Sequence, residues 1–200
     1  MSFGAAFNTF SIKLVHVDRD LFPTFRLKVV IHPNESESYL FTRMIGLLHS
    51  YEDGIEFSQG LFDEDAPTIL CSDPVDGIKS WIQVGVPTKR KLQLALRNSP
   101  KAQFTIYFYN QSQIAEFCQM LKGSKTNWVS EISFYLIPTV FLEQIAPLHV
   151  SSPTWQATFI DDHLYLLLEK SDLETDILSV DIWSEYQNYL ATLLQSEDTL

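Results

Sequence analysis

The sequence predicts an α/β (α+β) domain, a mixed β-sheet flanked by helices. Three observations carry this. Period-two and continuous apolar runs alternate with segments of helical period through the middle of the chain, which is the pattern of strands crossing over through helices. Hairpin patterns sit at both ends. The 200 residues are 46% hydrophobic with 7 Gly, the size and make-up of a chain that buries one core and has little low-complexity linker.

The elements follow in order. Phe10, Ile12, Leu14 and Val17, then Phe25, Leu27, Val29 and Ile31, alternate with polar residues around a loop ending Leu21-Phe22-Pro23. They read as an antiparallel strand pair. Leu40, Met44, Leu47, Leu48 and Tyr51 then fall at helical spacing, which predicts a helix over about 35–51, with Asn34 as its cap, Glu35 and Glu37 at the positive end of its dipole, and Gly54 at its stop. Ile55 to Phe57 and Ser80 to Val86 read as strands. Pro87 suits the first turn of a helix running through Arg97. The nearly unbroken apolar run Phe104 to Tyr109 predicts a strand covered on both faces. A helix over 112–121, a strand over 132–137, a helix over 140–146 and a hairpin pairing 154–160 with 164–168 follow. The last segment from Ile182 predicts an amphipathic helix with Trp183, Tyr186, Leu190 and Leu194 along its apolar edge.

Composition narrows the function. No stretch of about 18 apolar residues occurs, and the first residues lack the basic and apolar regions of a signal peptide, so a cytoplasmic, non-membrane protein is expected. Cys71 and Cys118 are far apart, which predicts buried free thiols rather than a metal knuckle or redox pair. The five His never fall at i, i+4 spacing, and glycine-rich phosphate loops and nucleophile elbows are missing. A net charge of −11 opposes sequence-blind nucleic-acid binding over the whole surface. The charges are blocked, however. Met44 to Ile78 carries eight acids and no Lys or Arg, Gly77 to Ala115 carries six bases and no acid, and seven acids follow Lys170. Such blocks are solvated faces or, once folded, opposite walls of one cleft.

Three short segments carry more specific information: His32-Pro33-Asn34-Glu35-Ser36, then Gly60-Leu61 leading to Asp63-Glu64-Asp65-Ala66-Pro67, then Trp81-Ile82-Gln83-Val84-Gly85-Val86-Pro87. In this order they resemble the YaeQ family of bacterial proteins. Asp18-Arg19, the helical Arg43-Met44-Ile45-Gly46-Leu47-Leu48 and the closing hairpin add to the likeness, which covers about residues 6–183. The expected division is therefore a domain over 1–183 and an acidic C-terminal extension over 184–200. The resemblance implies a variant of the PD-(D/E)XK nuclease-like fold. That design places one carboxylate on the first core helix, an Asp at the start of a strand, and an acid two residues before a lysine on the next strand. The acids hold a divalent cation that activates water against a phosphodiester.

On that layout Glu35, Asp65 and Gln83 are the candidate ligands for Mg²⁺ or Mn²⁺, and Asp65, Gln83 and Lys91 the candidate catalytic set. Gln83 and Gly85 stand at the acid and lysine positions, so the site has lost charge, and an amide is a weak ligand for a hard cation. Lys91, at the start of the following helix, is the candidate replacement base. Lys89, Arg90 and Lys91 together form a candidate nucleic-acid or anion site, because cations at a helix start oppose its dipole unless an anionic partner is present. Each residue also has a plainer role: Glu35 serving the helix dipole, Asp63 to Asp65 a solvated loop, Trp81 core, Gln83 a bond within the sheet. The expected function is binding through a degenerate nuclease-like core, to nucleic acid or, through the acidic C-terminal segment, to a basic protein. A Mg²⁺- or Mn²⁺-dependent nuclease is the alternative.

Overall fold

The computed structural model describes residues 6–58, 63, 65–123, 126–148, 154–169 and 171–197. Gln59, Gly60, Leu61 and Glu64, on which parts of the second motif fall, lie outside the described residues. The elements in order are β1 (Ala6–His16), β2 (Thr24–Ile31), α1 (Glu37–His49), β3 (Ile55–Phe57), β4 (Ile69–Asp73), β5 (Gly77–Val84), α2 (Lys89–Asn98), β6 (Gln103–Phe108), α3 (Gln111–Leu121), β7 (Ile132–Leu136), α4 (Thr139–Ile145), β8 (Thr154–Ile160), β9 (His163–Leu168), β10 (Ser171–Asp176), β11 (Leu178–Ser179) and α5 (Ile182–Glu197).

The strands build two mixed sheets where the sequence predicts one. The first is ordered β10-β9-β8-β1-β2 and the second β11-β7-β6-β5-β4-β3. β1 pairs antiparallel with β2 and parallel with β8, so the terminal hairpins join each other instead of flanking the central strands. In the second sheet β5, β6 and β7 are parallel, linked through α2 and α3, while β3, β4 and β5 are antiparallel. Three short strands, β4, β10 and β11, escape the sequence pattern. β4 offers only Ile69-Leu70-Cys71 before a turn, and β10 alternates acids with Leu and Thr, a composition of low strand propensity.

Burial follows the pleat. Phe10, Ile12 and Leu14 of β1, Trp155, Ala157 and Phe159 of β8, and Leu164 and Leu166 of β9 point inward and meet α1 and α4. α1 is covered on nearly every side, with Leu40 to Leu48 buried throughout, because its opposite face rests on Ile82, Val84 and Tyr107 of the second sheet. Phe41 stacks on Trp155 across this layer, ring centroids 6.2 Å apart. The other face of the second sheet presents Trp81, Phe104, Ile106 and Phe108 to α2, α3 and α5. The order of layers is thus sheet, helices, sheet, helices. Cys71 and Cys118 are buried free thiols, as expected. Among the described residues no helix is long and apolar enough to cross a membrane.

Local ends differ from the sequence reading in physical detail. α1 begins after Ser36, whose hydroxyl accepts from the Tyr39 N–H at 3.2 Å, and not after Asn34. It ends at His49, while Gly54, at φ +88°, forms the turn into β3. α2 is capped by the Thr88 hydroxyl, leaving Pro87 just outside the helix. α5 packs with Ile182, Tyr186, Tyr189 and Leu190 inward, whereas Trp183 and Leu194 are exposed. The apolar edge is turned by about one residue from the predicted one, because the helix begins by docking Ile182 beside Val129 and Phe134.

Candidate functional site

The second sheet, α2 and α3 together bound a cavity of about 790 Å³. β5 alternates, so Ser80, Ile82 and Val84 face α1 while Trp81 and Gln83 face α2 and α3. Gln83 is 7% exposed and lines this cavity. Its Nε2 donates to the Val84 carbonyl at 2.8 Å, but Oε1 is buried with no hydrogen-bond partner among the described residues. An orphaned buried acceptor costs about 1–3 kcal/mol, which marks the position as one where a donor is wanted.

At the end of β5 the chain turns through Gly85, at φ +74°, whose N–H still donates to the Tyr107 carbonyl at 2.8 Å. A lysine here would be held in the left-handed region that side chains rarely adopt. The cations that line this cavity are on α2. Lys91, 9% exposed, and Arg90 line the same cavity as Gln83. No acid lies in the first turn of α2. Asp65, in the turn before β4, reaches across the mouth, its Oδ2 3.9 Å from the Arg90 guanidinium. One acid of the acidic block and two bases of the basic block thus line one cleft.

The remaining candidates are elsewhere. Lys89 lines a different cavity, beside Arg97 and Trp128 on the far side of α2. Glu35 lines a neighbouring cavity of about 780 Å³ with His32, Arg43 and Asp63. Its Oε1 accepts from Arg43 Nε at 2.5 Å and its Oε2 from Arg43 Nη2 at 3.0 Å and from the His32 N–H at 3.0 Å. Side-chain exposures of 2% for Glu35 and 8% for Arg43 make this a buried bidentate pair. Tyr39 and Thr68 stand between the two cavities, their hydroxyls 3.1 Å apart, with Thr68 Oγ1 also accepting from the Val84 N–H.

The sequence reading misses Gln113, Glu116 and Tyr109, which complete the cavity wall. Gln113 carries a legible signal, since Asn110 and Gln113 have capping-box spacing. Asn110 Oδ1 accepts from the Gln113 N–H at 3.0 Å, and Gln113 Oε1 accepts from the Tyr109 N–H at 3.1 Å. This sets the Gln113 amide nitrogen beside Gly85.

The cavity thus holds Arg90 and Lys91 as cations, Asp65 and Glu116 as carboxylates, and two buried amides. A divalent cation fits this donor set poorly. Among the described residues no three of His, Cys, Asp and Glu converge to hold a metal ion, Gln83 is neutral, Asp65 faces Arg90, and Glu35 is spent on Arg43.

A second polar cluster lies on the opposite face of the sheet, around a cavity of about 360 Å³. There Asp162 Oδ1 is 3.0 Å from His49 Nε2, His49 Nδ1 is 2.7 Å from the Tyr107 hydroxyl, and that hydroxyl is 2.7 Å from Ser50 Oγ. Burial lowers the His49 pKa below its ordinary value, outweighing Asp162, so the neutral imidazole accepts from Tyr107 and donates to Asp162. Burial raises the Tyr107 pKa and keeps its proton in place. Arg19 closes the helix end by donating to the Tyr51 carbonyl at 2.6 Å.

Comparison with known proteins matches residues 1–177 to the family model described as YaeQ protein. The chain is 24% identical over 177 residues to the "Uncharacterized protein YaeQ" of Escherichia coli (strain K12), covering 88% of this chain and 96% of that one. The Salmonella typhi protein of the same description is 24% identical over 166 residues, 83% and 90% of the two chains. Two crystal structures share the fold. The YaeQ protein from Pseudomonas syringae superposes with a TM-score of 0.76 at 18% identity, over 88% of this chain and 96% of that one. The YaeQ protein from Xanthomonas axonopodis pv. citri gives 0.77 at 16%, over 88% and 98%. The fold, the motif order and the family match agree, and this chain belongs to the YaeQ family.

Proposed function

We propose that the cleft between β5, α2 and α3 binds a nucleic-acid strand by its phosphates, without cutting it. The observation that carries this reading is the pairing of Lys91, buried against the cavity at the start of α2, with the unsatisfied Oε1 of Gln83. A helix start with cations and no acid in its first turn favours an anion. The Gln83 acceptor calls for a donor on the same ligand. A nucleotide unit supplies both, a phosphate for Arg90 and Lys91 and a sugar hydroxyl or base N–H for Gln83. In the PD-(D/E)XK layout the same positions would hold a cation and a strand lysine. Here the amide at 83, the left-handed glycine at 85 and the engaged Glu35 favour binding over hydrolysis, so no metal-dependent step is assigned.

Fluorescence anisotropy of a labelled single strand tests it. Binding is expected to weaken with a slope of log Kd on log salt of about 1.5–2, as for two to three phosphate contacts, and to weaken about tenfold in Lys91→Ala at low salt. Salt-insensitive binding, or none in the wild-type protein, removes the proposal.

A further inference from the structure

The first sheet has a face that no described element covers. Its inward side chains fill the core, and the outward ones alternate with them along every strand. On one edge β10 turns out Asp172, Glu174 and Asp176, all exposed. On the other edge β2 turns out Arg26 and Lys28, joined by Lys13 on β1, also exposed. Pairing confirms a shared side: Ser11 is opposite Arg26 and Thr9 opposite Lys28, while Asp172 is opposite Leu167 and Glu174 opposite Tyr165. Three acids thus line one edge and two bases the other, four strand spacings or about 19 Å away, with Lys13 one strand in. Asp172 is level with Lys13, Glu174 and Asp176 lie beyond it on one side and Arg26 and Lys28 on the other, so the two groups hold diagonally opposite corners of the face.

The ground between them is neutral and partly apolar. Ile160, Tyr165 and Leu167 are 43%, 44% and 42% exposed on β8 and β9. Phe7 and Val30, paired at the end of β1 and β2, are 61% and 42% exposed, with the Lys28 ammonium 4.5 Å from the Phe7 ring centre. His163 on β9 adjoins the acidic edge, its Nδ1 2.6 Å from Asp176 and its Nε2 3.9 Å from Glu174.

A face acidic on one edge, basic on the other and apolar between is complementary to itself. A two-fold axis in the plane of contact, running diagonally across β8, lays the acidic corner of each copy over the basic corner of the other and brings the neutral middles of the two faces together. A two-fold perpendicular to the strands would set acid on acid. We infer that this face is an isologous dimer interface, and that its partner is a second copy of this chain. Five strands of about six residues span on the order of 500 Å², below the ~800 Å² per partner of stable complexes, so the dimer is weak and dissociates at dilution and in salt.

Sedimentation velocity over a range from micromolar to near-millimolar protein, at low and high salt, reads this directly. The wild type is expected to dimerise with concentration at low salt and to revert at high salt. Arg26→Glu with Lys28→Glu makes both edges acidic, and Asp172→Lys with Glu174→Lys makes both basic. Each double variant, checked for unchanged circular dichroism, is expected to raise the dimer Kd at least tenfold, and an equimolar mixture of the two to associate again. Lys91→Ala leaves this association unchanged, which separates it from the cleft. A wild type that stays monomeric at low salt, dimerisation indifferent to both edge reversals, or a monomer that instead binds oligonucleotide through Arg26 and Lys28 overturns the inference.

Discussion

Glu35 shows how one carboxylate can be read for chemistry from its position and yet be held by architecture. Placed by the motif at the helix start, it suggests both a dipole partner and a metal ligand. In the fold it grips Arg43, which in turn donates to the Val30 carbonyl at 2.7 Å and lies over the Phe57 ring, its carbon 4.7 Å from the centroid. No sequence rule pairs residues 35 and 43 across two helical turns, because the pairing depends on the chain reversing at His32–Ser36. Removing one partner of such a buried pair leaves an uncompensated charge, so Glu35→Ala is expected to lower unfolding stability by about 3–5 kcal/mol in a urea titration. A loss under 1 kcal/mol would show that the pair is not structural. Gln83 was legible as the weak point of the motif; its empty acceptor was not, since that depends on where α2 and α3 set their side chains.

At the scale of elements, α1 is the hinge between the two halves of the core, and its contacts set two expectations. Gly46 sits where α1 crosses β6, and a Cβ there would lie 3.1 and 3.2 Å from the Tyr107 ring. Gly46→Ala, favourable by about 1 kcal/mol in an open helix, is therefore expected to destabilise by about 1–3 kcal/mol, which a denaturant midpoint will show. The end of the same helix is pH-sensitive. His16, its Nε2–H donating to the Leu48 carbonyl at 2.9 Å, and His49 are both held below their ordinary pKa, chiefly by burial. The unfolded chain thus binds more protons than the folded one below about pH 6.5, the ordinary histidine value. Stability is full above that pH and falls as pH drops toward the folded values. The melting temperature is expected to decline from pH 7 to 5.5, and less steeply in His49→Gln; equal slopes would remove His49 as a source.

The helices and most strands were legible because their periodicity is local. Two features of the whole molecule were not. The split into two sheets follows from β1 pairing in parallel with β8 from the other end of the chain, a choice made by tertiary packing of Phe10 on Trp155 and not by either strand's own pattern. The acidic stretch after Lys170, composed like a solvated tail, supplies the edge strand β10 and the first turn of α5, where Ile182 and Tyr186 complete the second core. Asp65 and Arg90, from consecutive charge blocks of opposite sign, line one cleft, and both are largely exposed, as residues of solvated faces are.

The central claim is that this cleft is arranged for an anion and not for a divalent metal. Calorimetric titration of Mn²⁺ into the wild-type protein and Gln83→Glu tests it most directly. No saturable heat is expected from the wild type, and a weak binding isotherm from Gln83→Glu, where a third carboxylate joins Asp65 and Glu116 in lining the cavity. Stoichiometric Mn²⁺ binding by the wild type, lost in Asp65→Ala, would contradict the account and make the cleft a metal site.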